Sequence, residues 1–236
     1  MCEPILFCWS GGKDSAMALH ALRQQPNYRV VALLTTVTET YNRISMHGVR
    51  RELLVRQAAS LGLPLHEVRI PPQCVNPVYE SRMEEALRIH LDQGVQQVAF
   101  GDIFLEDLRL YREKNLARVG MHALFPIWKR STHELARHFV AQKFRAFTAC
   151  IDPRILAPSF AGRELNDSFF ADLPPNADPC GENGEFHTFV FDGPIFRHPI
   201  PVRTGEIVMR DGFVFCDLLL DEKCSAMEAS TNEART

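Results

Sequence analysis

The stretch Pro4-Ile5-Leu6-Phe7-Cys8-Trp9-Ser10-Gly11-Gly12-Lys13-Asp14-Ser15 runs from an apolar segment through a Gly-Gly turn. Ala16, Met17, Leu19 and Leu22 then follow at helical spacing. A short apolar run before a turn signal predicts a buried strand, and the spacing after it predicts a helix. Gly11 and Gly12 lack a Cβ, so backbone amides there can face a bound group. The first N–H groups of the helix and its dipole favour an anion at that point. Ser10 and Ser15 add hydroxyls, and Lys13 adds a point charge. Asp14 suits the positive end of the dipole and is a candidate for holding a magnesium-bound phosphate. The loop is not a Walker A motif, because Phe7 stands where that motif needs its first Gly. The plainer alternative is a glycine-rich turn capped by Asp14 or Ser15.

Working outward, strand-like and helix-like segments alternate. Residues 29–37, β-branched and apolar, predict a buried strand, and 65–70, stopped by Pro71-Pro72, and 97–100 predict two more. Residues 49–61, 78–93 and 107–119 predict helices, closed at Gly62, Gly94 and Gly120. This alternation predicts an α/β fold, a doubly wound and mostly parallel sheet. Ligands bind such sheets beyond the carboxyl ends of the strands. The pattern changes near residue 125. Ser131 and Glu134 have capping-box spacing and begin a helix to about residue 142. A strand over 144–150, a short helix over 163–171, and strands over 186–191, 200–209 and 213–220 follow, the last two joined by a turn at Arg210-Asp211-Gly212. The expected organisation is an α/β nucleotide-binding domain over 1–125, a smaller α+β C-terminal domain over 126–221, and a frayed polar tail over 222–236.

The chain has 236 residues with a formal net charge of −3, which gives no support to a broad electrostatic nucleic-acid binder. Stable nucleic-acid binding is not expected. No apolar run approaches the ~18 residues of a membrane span. The seven cysteines form no C-x-x-C and are odd in number, which predicts reduced thiols in a cytoplasmic protein. Residues 1–9 lack the pattern of a secretory leader.

A second segment, Cys180-Gly181-Glu182-Asn183-Gly184-Glu185-Phe186-His187-Thr188, precedes an apolar strand. Asn183-Gly184 alone reads as a type I′ hairpin turn. The functional alternative is that Glu182 and Glu185 bind magnesium, ammonium or a substrate amine. Gly101-Asp102 ends a predicted strand at the ligand-binding side, and His47 follows another. Arg109, Arg112, Lys114 and Arg118 form a basic stripe, read equally as a site for an acidic group or as a helix salt-bridged to Glu106 and Glu113. Most other histidines read as ordinary core or surface residues.

Ser-Gly-Gly-Lys-Asp-Ser resembles the pyrophosphate loop (PP-loop) of the N-type ATP pyrophosphatases. Gly181, Glu182, Gly184, Glu185, Phe186 and Thr188 match the G-E-x-G-E-[FY]-x-T segment of the diphthine–ammonia ligase family, with Asn183 and His187 departing from it. Gly101-Asp102-Ile103 with Arg109 and Glu113 resembles that family's G-A-I segment, Asp102 replacing a small residue. Ile127-Trp128-Lys129-Arg130 and Ser45-Met46-His47 resemble two further family segments. The resemblance implies an adenine nucleotide alpha hydrolase-like (HUP-type) fold. It implies an ATP-dependent, AMP-forming ligase that uses magnesium, adenylates a carboxylate and amidates it with free ammonia. The family's acceptor is diphthine on elongation factor 2, and another carboxylate stays open. It further implies catalytic roles for Lys13, Asp14, Glu182 and Glu185, with Asp14 on magnesium. ATP falls to Ser10, Gly11, Gly12, Lys13, Asp14, Ser15, His47 and Gly101. The acceptor side falls to Asp102, Arg109, Glu113, Gly184, His187 and Thr188. Two alternatives remain: a PP-loop RNA thiolase using Cys150 or Cys180, and a non-enzymatic ATP-binding protein. A homo-oligomer is left open.

Overall fold

The computed structural model describes residues 2–40, 43–44 and 48–221. The opening apolar run forms β1 (Glu3–Cys8), and α1 (Lys13–Arg23) starts directly after Gly12. Ile5, Leu6 and Phe7 are all fully buried, so β1 is covered on both faces, as the central strand of a parallel sheet must be. Next come β2 (Tyr28–Thr38), β3 (Arg43–Ile44), α2 (Arg51–Leu61), β4 (Leu65–Ile70) and α3 (Asn76–Asp92). β5 (Gln97–Ala99), α4 (Glu106–Val119) and β6 (His122–Leu124) complete this half.

The parallel strands lie in the order β4-β2-β1-β5-β6. β3 runs antiparallel to the end of β2, pairing Val37 with Ile44. β4 holds the other edge over the same residues, so β3 continues the edge that β1 leaves at Cys8. Successive crossovers go one way from β1 and then return to its other side at β5. The strand order therefore reverses between β1 and β5, the place where doubly wound sheets bind ligands. Leu6, Leu34, Val98 and Phe100 form one core layer with Leu87 of α3 and Leu116 of α4. Phe7, Leu33 and Ala99 face the other way, packing with α1 and α2.

The second half carries α5 (Thr132–Ala141), β7 (Arg145–Ile151), α6 (Asp167–Ala171), β8 (Phe186–Asp192), β9 (Val202–Arg210) and β10 (Phe213–Leu220). Its four strands form an antiparallel sheet in the order β8-β7-β10-β9. Ser131 caps α5, its Oγ accepting from the Glu134 amide at 3.4 Å. Asp211 and Gly212 both have positive φ in the turn between β9 and β10, the conformation of a type I′ hairpin. Asn183-Gly184 makes no such hairpin: only Gly184 has positive φ, and the pair lies in a loop before β8. The expected helix over 163–171 is only α6, because Arg163 and Glu164 join β7 through Thr148 and Phe147. Phe139, Phe186 and Phe189 share the core layer of Phe7, Leu19 and Leu22, so α1 lies between the two sheets. No helix among the described residues is long and apolar enough to cross a membrane.

One buried amide ties the halves together. Gln57 of α2 is fully buried. Trp9 Nε1 donates to its Oε1 at 2.9 Å, and its Nε2 donates to the carbonyls of Gly11 (3.0 Å) and Val190 (2.6 Å). The Val190 amide donates to the Gly11 carbonyl at 2.9 Å. Gln57→Leu keeps most of the volume but strands the Trp9 N–H and the Val190 C=O without water. At about 1–3 kcal/mol per stranded group, a loss of about 2–6 kcal/mol is expected. Thermal unfolding should report it as a midpoint drop on the order of 10 °C, and a drop below ~2 °C would refute the clamp.

Candidate active site

A cleft of about 550 Å³ opens at the carboxyl ends of β1, β2 and β5. Its floor is the Ser10–Ser15 loop, and the segment before β8 closes one side. Ser10 Oγ and Ser15 Oγ share a hydrogen bond of 2.6 Å, and the Ser10 amide donates to Ser15 Oγ at 3.2 Å. Gly12 has no side chain to cap α1. Thr188 reaches over from β8 instead, its Oγ1 accepting from the Lys13 amide at 3.0 Å. Gly101, just past β5, lies against this loop: a Cβ there would sit 2.9 Å from the Asp14 carbonyl carbon and the Ser15 nitrogen. That closeness is with rigid backbone, so any larger residue would displace the loop.

The Lys13 side chain is only 3% exposed. Its Nζ donates to Asp14 Oδ1 at 2.6 Å and to the Cys180 carbonyl. Burial works against the ammonium, but Asp14, Cys180 and Glu182 together outweigh it and hold Lys13 above its usual range. Burial pushes Asp14 up, with Lys13 pulling the other way. Glu182 lines the same wall. Burial, helped by the neighbouring Asp14 charge, pushes its carboxyl up to about 7. Burial and then the Lys13 charge lower His187, which therefore stands neutral on the wall at physiological pH.

The two glutamates differ in placement. Glu185 is 1% exposed, and its carboxylate accepts from the Asp178 amide (2.8 Å), the Asn183 amide (2.9 Å) and Asn183 Nδ2 (3.0 Å). It orders the 178–185 loop from behind, and Gly184 and Glu182 of that loop face the cleft. Asp102 also lines the cleft, in a bidentate pair with Arg112 at 2.5 and 3.2 Å. The Arg112 guanidinium lies 4.4 Å above the Phe100 ring. Arg109 pairs with Glu113 at 2.7 Å and stacks on Phe125 and Trp128, and neither Arg109 nor Glu113 is part of the cleft wall. His47 lies outside the described residues.

Three functional groups went unnoticed in the sequence as site candidates. Arg112 belongs to the basic stripe, but nothing in the spacing marks it rather than Arg109 as the partner of Asp102. Gln57 reads as an ordinary helix polar residue. Asp152 and Arg154 stand at the cleft rim in a bidentate pair, with Arg154 Nε 2.9 Å from Oδ1 and Nη2 2.6 Å from Oδ2. Burial pushes the thiols of Cys8, Cys150 and Cys180 up to about 12. Among the described residues, no three His, Cys, Asp or Glu side chains gather to hold a metal ion.

Comparison with known proteins adds to this geometry. Residues 5–123 match the family model of the diphthamide synthase N-terminal domain, and residues 131–220 match that of the diphthamide synthase C-terminal domain. The mouse (Mus musculus) protein named diphthine–ammonia ligase is 26% identical over 257 residues, covering 96% of this chain and 96% of its own. The rat (Rattus norvegicus) protein of the same name is 24% identical over 92% of both chains. A solved U34-tRNA thiolase, NcsA from Methanococcus maripaludis with its [4Fe-4S] cluster, overlaps 58% of this chain and 57% of its own. That overlap has a TM-score of 0.36 at 18% identity, a likeness too weak to argue from. The two family models together span both sheets and both walls of the cleft, and the chain belongs to the diphthamide synthase family.

Proposed function

We propose that this chain is an ATP-dependent, AMP-forming ligase that adenylates a carboxylate and amidates it with ammonia. The observation that carries the reading is the charged, buried Lys13 at the start of α1, facing a cleft that also holds Glu182. The name of its relatives points to diphthine as the acceptor. Another carboxylate would meet the same geometry, because the cleft walls named above select for charge and size rather than for one molecule.

The steps follow from the residues. The Ser10–Ser15 loop and the N-terminus of α1 receive the β- and γ-phosphates. Lys13 neutralises charge as the acceptor oxygen attacks the α-phosphorus and the bond to the β-phosphate oxygen breaks. Asp14 offers its carboxylate where those phosphates would lie. Magnesium is bound through one or two carboxylates plus substrate phosphates, and the donors here fit that arrangement. When bound, the ion neutralises phosphate charge. Ammonia then attacks the acyl carbon and AMP leaves. That addition releases one proton, and Glu182, poised near neutrality, takes it. Glu185 acts as a positioning residue by holding the loop that presents Glu182. Neutral His187 and the Asp102–Arg112 pair shape the acceptor side. The RNA thiolase reading lacks an ionised nucleophile, since Cys150 and Cys180 both stand at about 12. Free ammonia in the cytoplasm would serve as the nitrogen source.

Product analysis tests the chemistry. Incubated with ATP, magnesium, ammonium and diphthine-bearing elongation factor 2, the chain should release AMP and pyrophosphate in proportion to ammonium. Lys13→Ala should reduce that release by at least ~100-fold while the protein stays folded. ADP and phosphate as products, or turnover indifferent to ammonium, would overturn the ligase reading. Activity found only with another carboxylate would move the acceptor and leave the chemistry standing.

A pH profile tests Glu182. Its carboxylate is the proton acceptor, and its pKa is raised to about 7, so the active form builds up as pH rises through 7. At a fixed concentration of free ammonia, amidation should climb between mildly acidic pH and about pH 8 and then level. Glu182→Gln should flatten that limb and cut the rate by roughly 10²–10⁴-fold. An unchanged limb in the variant would assign the proton transfer elsewhere.

A further inference from the structure

The edge strand β9 is the place where this surface departs most from an ordinary one. It pairs with β10 on one side, and no other described strand pairs with it. Ile207, Val208 and Met209 are 52%, 39% and 69% exposed, three consecutive apolar residues on an open edge. Natural sheets rarely leave such an edge uncovered, because it templates pairing with another chain.

The hairpin geometry fixes which groups face outward. The turn has two residues, so Arg210 and Phe213 are its closing pair. In an antiparallel ladder hydrogen-bonding direction alternates along the strand. Arg210 and Val208 therefore aim their N–H and C=O groups at β10, and Met209 and Ile207 aim theirs away from it. A second copy of β9, running antiparallel about a twofold axis at Val208, satisfies this pattern. Ile207 then lies opposite Met209 of the other copy, and both residues have their backbone groups facing the partner. Glu206 lies opposite Arg210 of the other copy, and by symmetry the pair occurs twice. Shifting the axis to Glu206 sets two glutamates against each other, and shifting it to between Glu206 and Ile207 sets Arg203 against Arg210. The register at Val208 matches hydrogen-bonding direction and sets the opposite charges of Glu206 and Arg210 against each other twice.

We propose that β9 is a homodimer interface, joining two four-stranded sheets into one eight-stranded sheet through Glu206–Arg210 pairs around Val208. A strand-edge contact of this size fits a reversible, weak dimer rather than an obligate one. Because Phe213, which lines the cleft, immediately follows the hairpin turn, the dimer would also steady one cleft wall.

Sedimentation velocity over micromolar to submillimolar concentrations of the full chain tests this. The wild type should show a concentration-dependent monomer–dimer equilibrium. Met209→Lys should leave monomer throughout, with an unchanged thermal midpoint because the side chain is exposed. Glu206→Arg should raise the dissociation constant roughly tenfold or more. Adding Arg210→Glu to Glu206→Arg should restore it, since the swapped pair is complementary again in this register. A wild type that stays monomeric overturns the proposal. So does a dimer that survives Met209→Lys, or one that the double charge swap fails to rescue.

Discussion

Everything at the active site depends on keeping one ammonium charged with almost no access to water. Moving such a group into the protein costs several kcal/mol unless its surroundings replace its hydration. For Lys13 the replacements are the Asp14 carboxylate and the Cys180 carbonyl. The first comes from the same loop, and the second from a segment some 170 residues later in the chain. The cleft therefore cannot form until both halves of the chain are in place. Thr188 and Gln57 reinforce the same seam, one through the Lys13 amide and one through the Gly11 carbonyl. The long-range hydrogen bonds at this seam are also what position the helix N-terminus towards the cleft.

That arrangement has a chemical consequence. Lys13 is not a surface charge waiting for phosphate but a cation already engaged by a carboxylate. Any anion that enters the cleft there must share the Lys13 charge with Asp14. The acidic side of the cleft follows from the same burial. Burial raises Glu182 most, and the charges of Asp14, Asp102 and Asp178 add to it, so one carboxyl is held near neutrality by its place in the cleft. Glu185, three residues on, escapes this by turning into its own loop. Two glutamates of equal appearance in the sequence thus take different places: Glu182 lines the cleft, and Glu185 holds the loop.

The sequence made the first half of the fold legible because β1 and the middle of β2 are continuous apolar runs and glycines follow α2, α3 and α4. Gly62 and Gly120 end α2 and α4 in the left-handed conformation, as such glycines predict. The strands β3 and β6 escaped notice because runs of two and three residues carry no periodicity. The Asn183-Gly184 signal misled for a different reason. Its neighbours carry Glu185, whose carboxylate collects the loop amides and imposes a conformation that local turn preference would not choose. The turn from β1 into α1 was legible, but its support was not. Gln57 and Arg112 become visible only when distant segments meet.

Asp102 shows how a second carboxylate is held on the cleft wall. Its charge works against ionisation of Glu182. Arg112 limits that repulsion by taking both oxygens of Asp102 in its fork, while its own plane rests on Phe100. The pair is neutral as a unit, rigid, and fills space that a small residue would leave open. The pair adds no net charge to the cleft wall. Adjacent residues thus do different work there: Gly101 leaves the Ser10–Ser15 loop room that a Cβ would take, and Asp102 with Arg112 fills the wall beside it.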